Sequence, residues 1–116
     1  MGKREAMQDP IVVTGTFPLN NSYVCILFDS SIERSLVSHK LKHLINQNPH
    51  KLNETYIVEM DNGKRESPND VYIGCTLTLN NHSFPISLMP VKCRSFDVIV
   101  GMNSFSPHNV EIRGHE

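Results

Sequence analysis

Tyr23-Val24-Cys25-Ile26-Leu27-Phe28-Asp29-Ser30-Ser31 is the stretch on which the fold turns. An unbroken apolar run, Val24 to Phe28, has strand length and leads directly into a carboxylate. A chain that buries such a strand brings Asp29 to the edge of its core, where it must be hydrogen-bonded or paired. Ser30 and Ser31 offer hydroxyls for that purpose. The simplest local reading makes Asp29 a strand terminator that caps a following helix.

Upstream, Pro10 opens Ile11-Val12-Val13-Thr14-Gly15-Thr16-Phe17, a β-branched run that reads as a strand, and Pro18-Leu19-Asn20-Asn21 reads as a turn. Residues 1–9 are polar and aperiodic and read as a loose arm or linker, leaving 10–116 as one domain. Downstream, Leu36, Val37, Leu41, Leu44 and Ile45 fall near one helical face, predicting a helix over 32–45 that ends before Pro49. Tyr56 to Met60 reads as a short strand and Asp61-Asn62-Gly63 as a hairpin turn. Val71, Ile73, Cys75, Leu77 and Leu79 alternate with less apolar residues, predicting a half-buried strand. A turn at Asn80-Asn81-His82 leads into a second alternation at Phe84, Ile86 and Leu88. Val98-Ile99-Val100 is a last short apolar run closed by Gly101, and Val110 and Ile112 suit a terminal strand. Many short strands with one helix predict a mainly β protein, a barrel or a sandwich.

Composition bounds the function. The chain has 116 residues, 39% of them hydrophobic, and a formal net charge of −1. That is one domain with no global electrostatic drive toward nucleic acid or anionic lipid. The basic residues are scattered and aromatics few, so no base-stacking platform is readable. The longest apolar stretch is far short of the roughly 20 residues of a spanning helix. Cys25, Cys75 and Cys93 form an odd, widely spaced set, and without a secretory signal they read as reduced thiols, Cys25 and Cys75 buried as small hydrophobes. The Asn-x-Ser/Thr triplets at Asn20, Asn53 and Asn81 then read as turn chemistry, and Ala6 spoils a myristoylation signal. His39 and His43 lie four apart on the expected helix, but no Glu follows His39 and no third ligand is near. They read as solvated imidazoles, with no metal or other cofactor expected.

Two motifs in order make a more specific pattern: Phe28-Asp29-Ser30-Ser31-Ile32, followed by Arg34-Ser35-Leu36-Val37-Ser38, and then Phe96-Asp97-Val98-Ile99-Val100-Gly101-Met102-Asn103-Ser104-Phe105. Together they resemble the aspartic protease domain of long-terminal-repeat retroelements, in particular the Ty3/gypsy class found in plant genomes. That family ends an apolar strand in Asp-Ser/Thr-Gly-Ala and later carries a Phe-Asp-Val-Ile-hydrophobic-Gly-Met-Asp-Trp-Leu string. Gly74-Cys75-Thr76-Leu77 and Ile86 to Val91 are similar to it as well, so the resemblance runs from about Ile11 to Ile112. Ser31 and Ile32 depart from the motif's Gly and Ala, and Asn103-Ser104-Phe105 from its Asp-Trp-Leu.

The resemblance implies a retropepsin-like closed β-barrel, a single lobe of the acid protease fold with one or two short helices. It implies that Asp29 is catalytic, within an active-site loop of Ser30, Ser31 and Ile32. Val98, Ile99, Val100 and Gly101 would form the strand supporting that loop, and Asp61, Asn62, Gly63 and Lys64 a flap over a bound peptide. One motif per chain implies a homodimer that brings two Asp29 carboxylates together, acting on a polyprotein inside the cell or in a retroelement particle. The substitutions at Ser31 and Ile32 leave an alternative, a catalytically silent domain that dimerises or binds extended peptide.

Overall fold

The computed structural model describes residues 12–60, 63–92 and 96–102. The arm at 1–9, Cys93, Asn103-Ser104-Phe105 and the expected strand at Val110 and Ile112 lie outside them. The described residues form nine strands: β1 (Val12–Leu19), β2 (Ser22–Asp29), β3 (Ser35–Ser38), β4 (His50–Lys51), β5 (Val58–Glu59), β6 (Arg65–Glu66), β7 (Asp70–Leu79), β8 (His82–Val91) and β9 (Val98–Val100). The order β1-β2-β9-β3-β8-β7 closes through a β1–β7 pairing into a six-stranded barrel, with β4 added outside β7. β5 and β6 make a separate hairpin. The chain is thus mainly β, and of the two readings open from its strands, the barrel holds.

Local sequence builds the two long hairpins. Asn20 and Asn21 take φ of 50° and 72°, and Asn80 and Asn81 take 49° and 68°. Two successive positive-φ residues make the turn whose twist matches that of paired strands. β1 therefore runs on through Pro18 and Leu19, two residues beyond the expected strand, with Leu19 opposite Ser22. Asn20 also closes the barrel. Its N–H donates to the Thr76 carbonyl at 2.8 Å, while its side-chain oxygen accepts the Thr76 N–H at 2.9 Å.

The interior is lined by Leu19, Val24, Ile26, Val37, Leu77, Leu88, Val98 and Val100, each at most 3% exposed. A second cluster outside the barrel wall centres on Leu36, Val71, Met89 and Val91. Between them β7 changes parity. Gly74 has φ of +79°, and the β7–β8 register shifts between Tyr72 and Cys75. This bulge lets Tyr72 and Cys75 both join the barrel core, while Val71 and Ile73 pack on the outer cluster. The alternation from Val71 to Leu79 is real, but it serves two different cores.

The expected helix over 32–45 does not form. Ser35–Ser38 is a strand between β9 and β8, with all four residues buried, and only His39–Leu44 is helical, as a 3₁₀ turn. A strand covered on both faces reads as a continuous run rather than an alternation, which a helical spacing then mimics. No helix among the described residues is long and apolar enough to cross a membrane.

Candidate active site

Asp29 ends β2 half-buried, opposite Val12 on β1. No helix follows it, so its carboxylate is not a helix cap. Instead Oδ1 accepts the Ser31 N–H at 2.9 Å and the Ser31 hydroxyl at 2.6 Å. Asp29 borders an open hollow of about 280 Å³ with Val13, Phe28, Ser30, Val100, Gly101 and Met102. Three of the flanking apolar side chains stand out to solvent: Val12, Val13 and Met102 are more than half exposed. A carboxylate and exposed apolar groups therefore share one end of the barrel.

The topology dictates this placement. β9 lies parallel to β2, with Phe28 opposite Val100, and antiparallel to β3, with Leu36 opposite Ile99. The loop from Asp29 to Arg34 must therefore pass over the end of β9 at Gly101. The crossing is so close that a Cβ on Gly101 would lie 2.7 Å from the Arg34 carbonyl oxygen and 2.8 Å from the Glu33 carbonyl carbon. Glycine is required there by backbone proximity. Two bonds staple the crossing: Gly101 N–H donates to the buried Ser35 hydroxyl at 3.0 Å, and Met102 N–H donates to the Ile32 carbonyl at 2.9 Å.

The other end of β9 is fastened by Asp97. Its N–H donates to the Cys25 carbonyl at 3.0 Å, and its carbonyl accepts the Ser38 N–H at 2.9 Å. Its side chain accepts the Cys25 N–H at 2.9 Å. One residue thereby ties β2 and β3 to the strand between them. Sequence reasoning placed Asp97 in the second motif without seeing this role. The signal was a lone carboxylate opening a β-branched run.

The expected flap coincides with the β5–β6 hairpin. Met60 N–H donates to Lys64 at 2.8 Å and Gly63 N–H to Met60 at 2.9 Å, with Gly63 at φ +83°. Asp61 and Asn62 lie outside the described residues. Val58 and Met60 pack on the outer cluster, as does Ile32 from the Asp29 loop. The Arg34 guanidinium lies 4.9 Å from the Tyr56 ring centre, a cation–π contact between the end of that loop and the approach to the hairpin. Glu66 on β6 was missed from sequence. Both of its carboxylate oxygens accept the Lys92 N–H, at 3.1 and 3.0 Å, fastening the hairpin to the end of β8.

The remaining expectations separate. Cys25 is exposed on β2, not buried, whereas Cys75 lies in the core, where burial pushes its thiol up to about 11. His39 and His43 sit on a 3₁₀ turn, where positions four apart do not share a face. His43 Nδ1 lies 3.1 Å from the Lys40 carbonyl. No group of three or more His, Cys, Asp or Glu side chains among the described residues could hold a metal ion.

With this geometry in hand, the barrel matches that of EIAV protease, solved in complex with the inhibitor HBY-793. The TM-score is 0.56 at 10% identity, over 82% of this chain and 84% of that one. A Legionella pneumophila protein of unknown function matches at a TM-score of 0.48 and 10% identity, over 78% of this chain and 81% of that one. The first likeness is one of fold. No curated protein matches the chain in sequence. The sequence model of the retroviral aspartyl proteases, however, matches residues 1–116. The chain belongs to the retroviral aspartyl protease family.

Proposed function

We propose that this chain is an aspartic endopeptidase that works as a homodimer on the polyprotein of a retrotransposon of the Ty3/gypsy type. The carrying observation is the position of Asp29, a half-buried carboxylate at the end of a barrel strand, beside an apolar hollow. One chain supplies one such motif. The exposed Val12, Val13 and Met102 at the same end offer apolar surface for a second copy. Residues 10–116 act as one domain and 1–9 as an arm or linker from the polyprotein, inside the cell or an element particle.

In the pair, two Asp29 carboxylates face each other across the two-fold axis and hold one proton between them, since like charges that close cannot both ionise. The ionised member takes a proton from a water as it attacks the peptide carbonyl, and the protonated member donates to the carbonyl oxygen. The C–N bond of the tetrahedral intermediate then breaks. The carboxyl that took the water's proton gives it to the leaving nitrogen, and a hydroxyl of the diol returns a proton to the other carboxylate, restoring the singly protonated pair. The hairpin around Asp61, Asn62, Gly63 and Lys64 closes over the extended peptide and excludes water. Ser30 and Ile32 shape the loop, and Val98 to Gly101 support it from below.

The test is cleavage of a polyprotein-derived peptide at mildly acidic pH by the wild type and Asp29→Asn. Cleavage lost in the variant supports the proposal, and equal rates overturn it. A second reading is favoured by the Ser31 hydroxyl bound to Asp29: a domain that dimerises or binds extended peptide without cutting it. Peptide binding without cleavage by the wild type and by Ser31→Gly would support that reading.

A further inference from the structure

Ser31 stands where the family motif has glycine, and its side chain is aimed at the residue on which the proposed chemistry rests. Its backbone N–H and its hydroxyl both donate to Asp29 Oδ1, at 2.9 and 2.6 Å. A carboxylate oxygen presents two lone-pair sites in its plane, so Oδ1 is filled by this one neighbour. Oδ2 receives no hydrogen bond from the described residues.

We propose that the Ser31 hydroxyl is a positioning residue that acts as a brake: it fixes the Asp29 carboxylate and removes Oδ1 from proton sharing across the dimer. The inference rests on the protease reading above. A dyad that holds one proton between two carboxylates needs oxygens free to accept it. Each Ser31 hydroxyl occupies a lone pair that the shared proton would otherwise use. The backbone N–H bond alone would orient the carboxylate and leave that site free. Nor does the loop need the side chain for its shape. Ser31 is exposed and has no positive φ, so glycine or alanine fits the same backbone.

The test compares wild type, Ser31→Ala, Ser31→Gly and Ser31→Thr, with Asp29→Asn as the blank. Steady-state cleavage is read alongside the NMR signal of the Asp29 side-chain carboxyl carbon. A charge-assisted hydrogen bond of this kind corresponds to roughly a tenfold or larger effect. We expect kcat to rise by about that factor in Ser31→Ala and Ser31→Gly, with KM within about twofold. Ser31→Thr, which keeps the hydroxyl, should stay at the wild-type rate. The carboxyl carbon should shift in the Ala and Gly variants and hold its wild-type position in Thr. Unchanged or lower kcat in Ser31→Ala, with cleavage still dependent on Asp29, would overturn the brake and leave the protease intact. If no variant cuts peptide, the protease reading fails, and the brake on its chemistry fails with it. An unmoved carboxyl carbon in Ser31→Ala overturns the brake whatever the activity.

Discussion

Two positions where the family motifs carry glycine meet within one corner of this barrel, and they have fared differently. At Gly101 the glycine is kept, and at Ser31 it is replaced. The structure gives the reason. A Cβ at Gly101 would stand under 3 Å from the backbone of Glu33 and Arg34, which cannot move without lifting the whole Asp29 loop. The Ser31 side chain is exposed and, among the described residues, meets only the Asp29 carboxylate in a hydrogen bond, on a backbone without positive φ. The first glycine is a packing requirement of the crossing between β2 and β3. The second position is open to side chains, and what it holds bears on Asp29 rather than on the fold. Loss of a motif glycine is thus compatible with an intact barrel, and the two positions should respond differently to mutation.

The largest separation is expected between chemistry and stability. Asp29→Asn should lower peptide cleavage by roughly a thousandfold, the scale of an essential acid–base group. Its melting temperature should remain near that of the wild type, because the amide oxygen still accepts from Ser31. Next comes Gly101→Ala, which should destabilise by about 3 kcal/mol as backbone is pushed aside. Ser31→Gly should change stability by no more than about 1 kcal/mol. Equal destabilisation by the two, read from chemical denaturation, would break the comparison.

A finer cut is Ser35→Ala. It leaves the Gly101 N–H without its buried acceptor, and should cost about 1–3 kcal/mol while sparing the Asp29–Ser31 bonds. The smallest effect concerns the thiols. Alkylation of the native protein, mapped by mass spectrometry, should mark Cys25 and spare Cys75. Burial raises the folded Cys75 from 9.0 to about 11, so the unfolded chain loses its proton first. The resulting stabilisation is complete below about 9 and is lost as pH rises from there through about 11. Cys75→Ala should therefore lose less stability than the wild type over that alkaline window, as read by thermal melts.

Much of this was legible in the sequence, for local reasons. The Asn-Asn turns announce themselves because few residues accept two positive φ angles in succession. β2 and β9 are visible because each is an apolar run with a polar or glycine stop. Asp29 was conspicuous because it follows such a run directly. β3 was hidden because its partners, β8 and β9, come from much later in the chain. With both faces buried, Ser35 and Ser38 sit in the core beside Leu36 and Val37, so no alternation betrays the strand. The contacts of Asp97 with Cys25, and of Glu66 with Lys92, were beyond reach for the same reason. Each is a long-range bond that exists only once the barrel has placed its ends together.

The central claim is that Asp29 is half of a catalytic pair completed by a second chain. Mixing wild type with Asp29→Asn at constant total protein tests it most directly, after unfolding and refolding together so that the chains exchange. If two carboxylates are needed, activity follows the square of the wild-type fraction, and an equal mixture retains about a quarter of the full rate. A linear decline, leaving about half the rate in the equal mixture, would mean that each chain cuts alone, and would contradict the account.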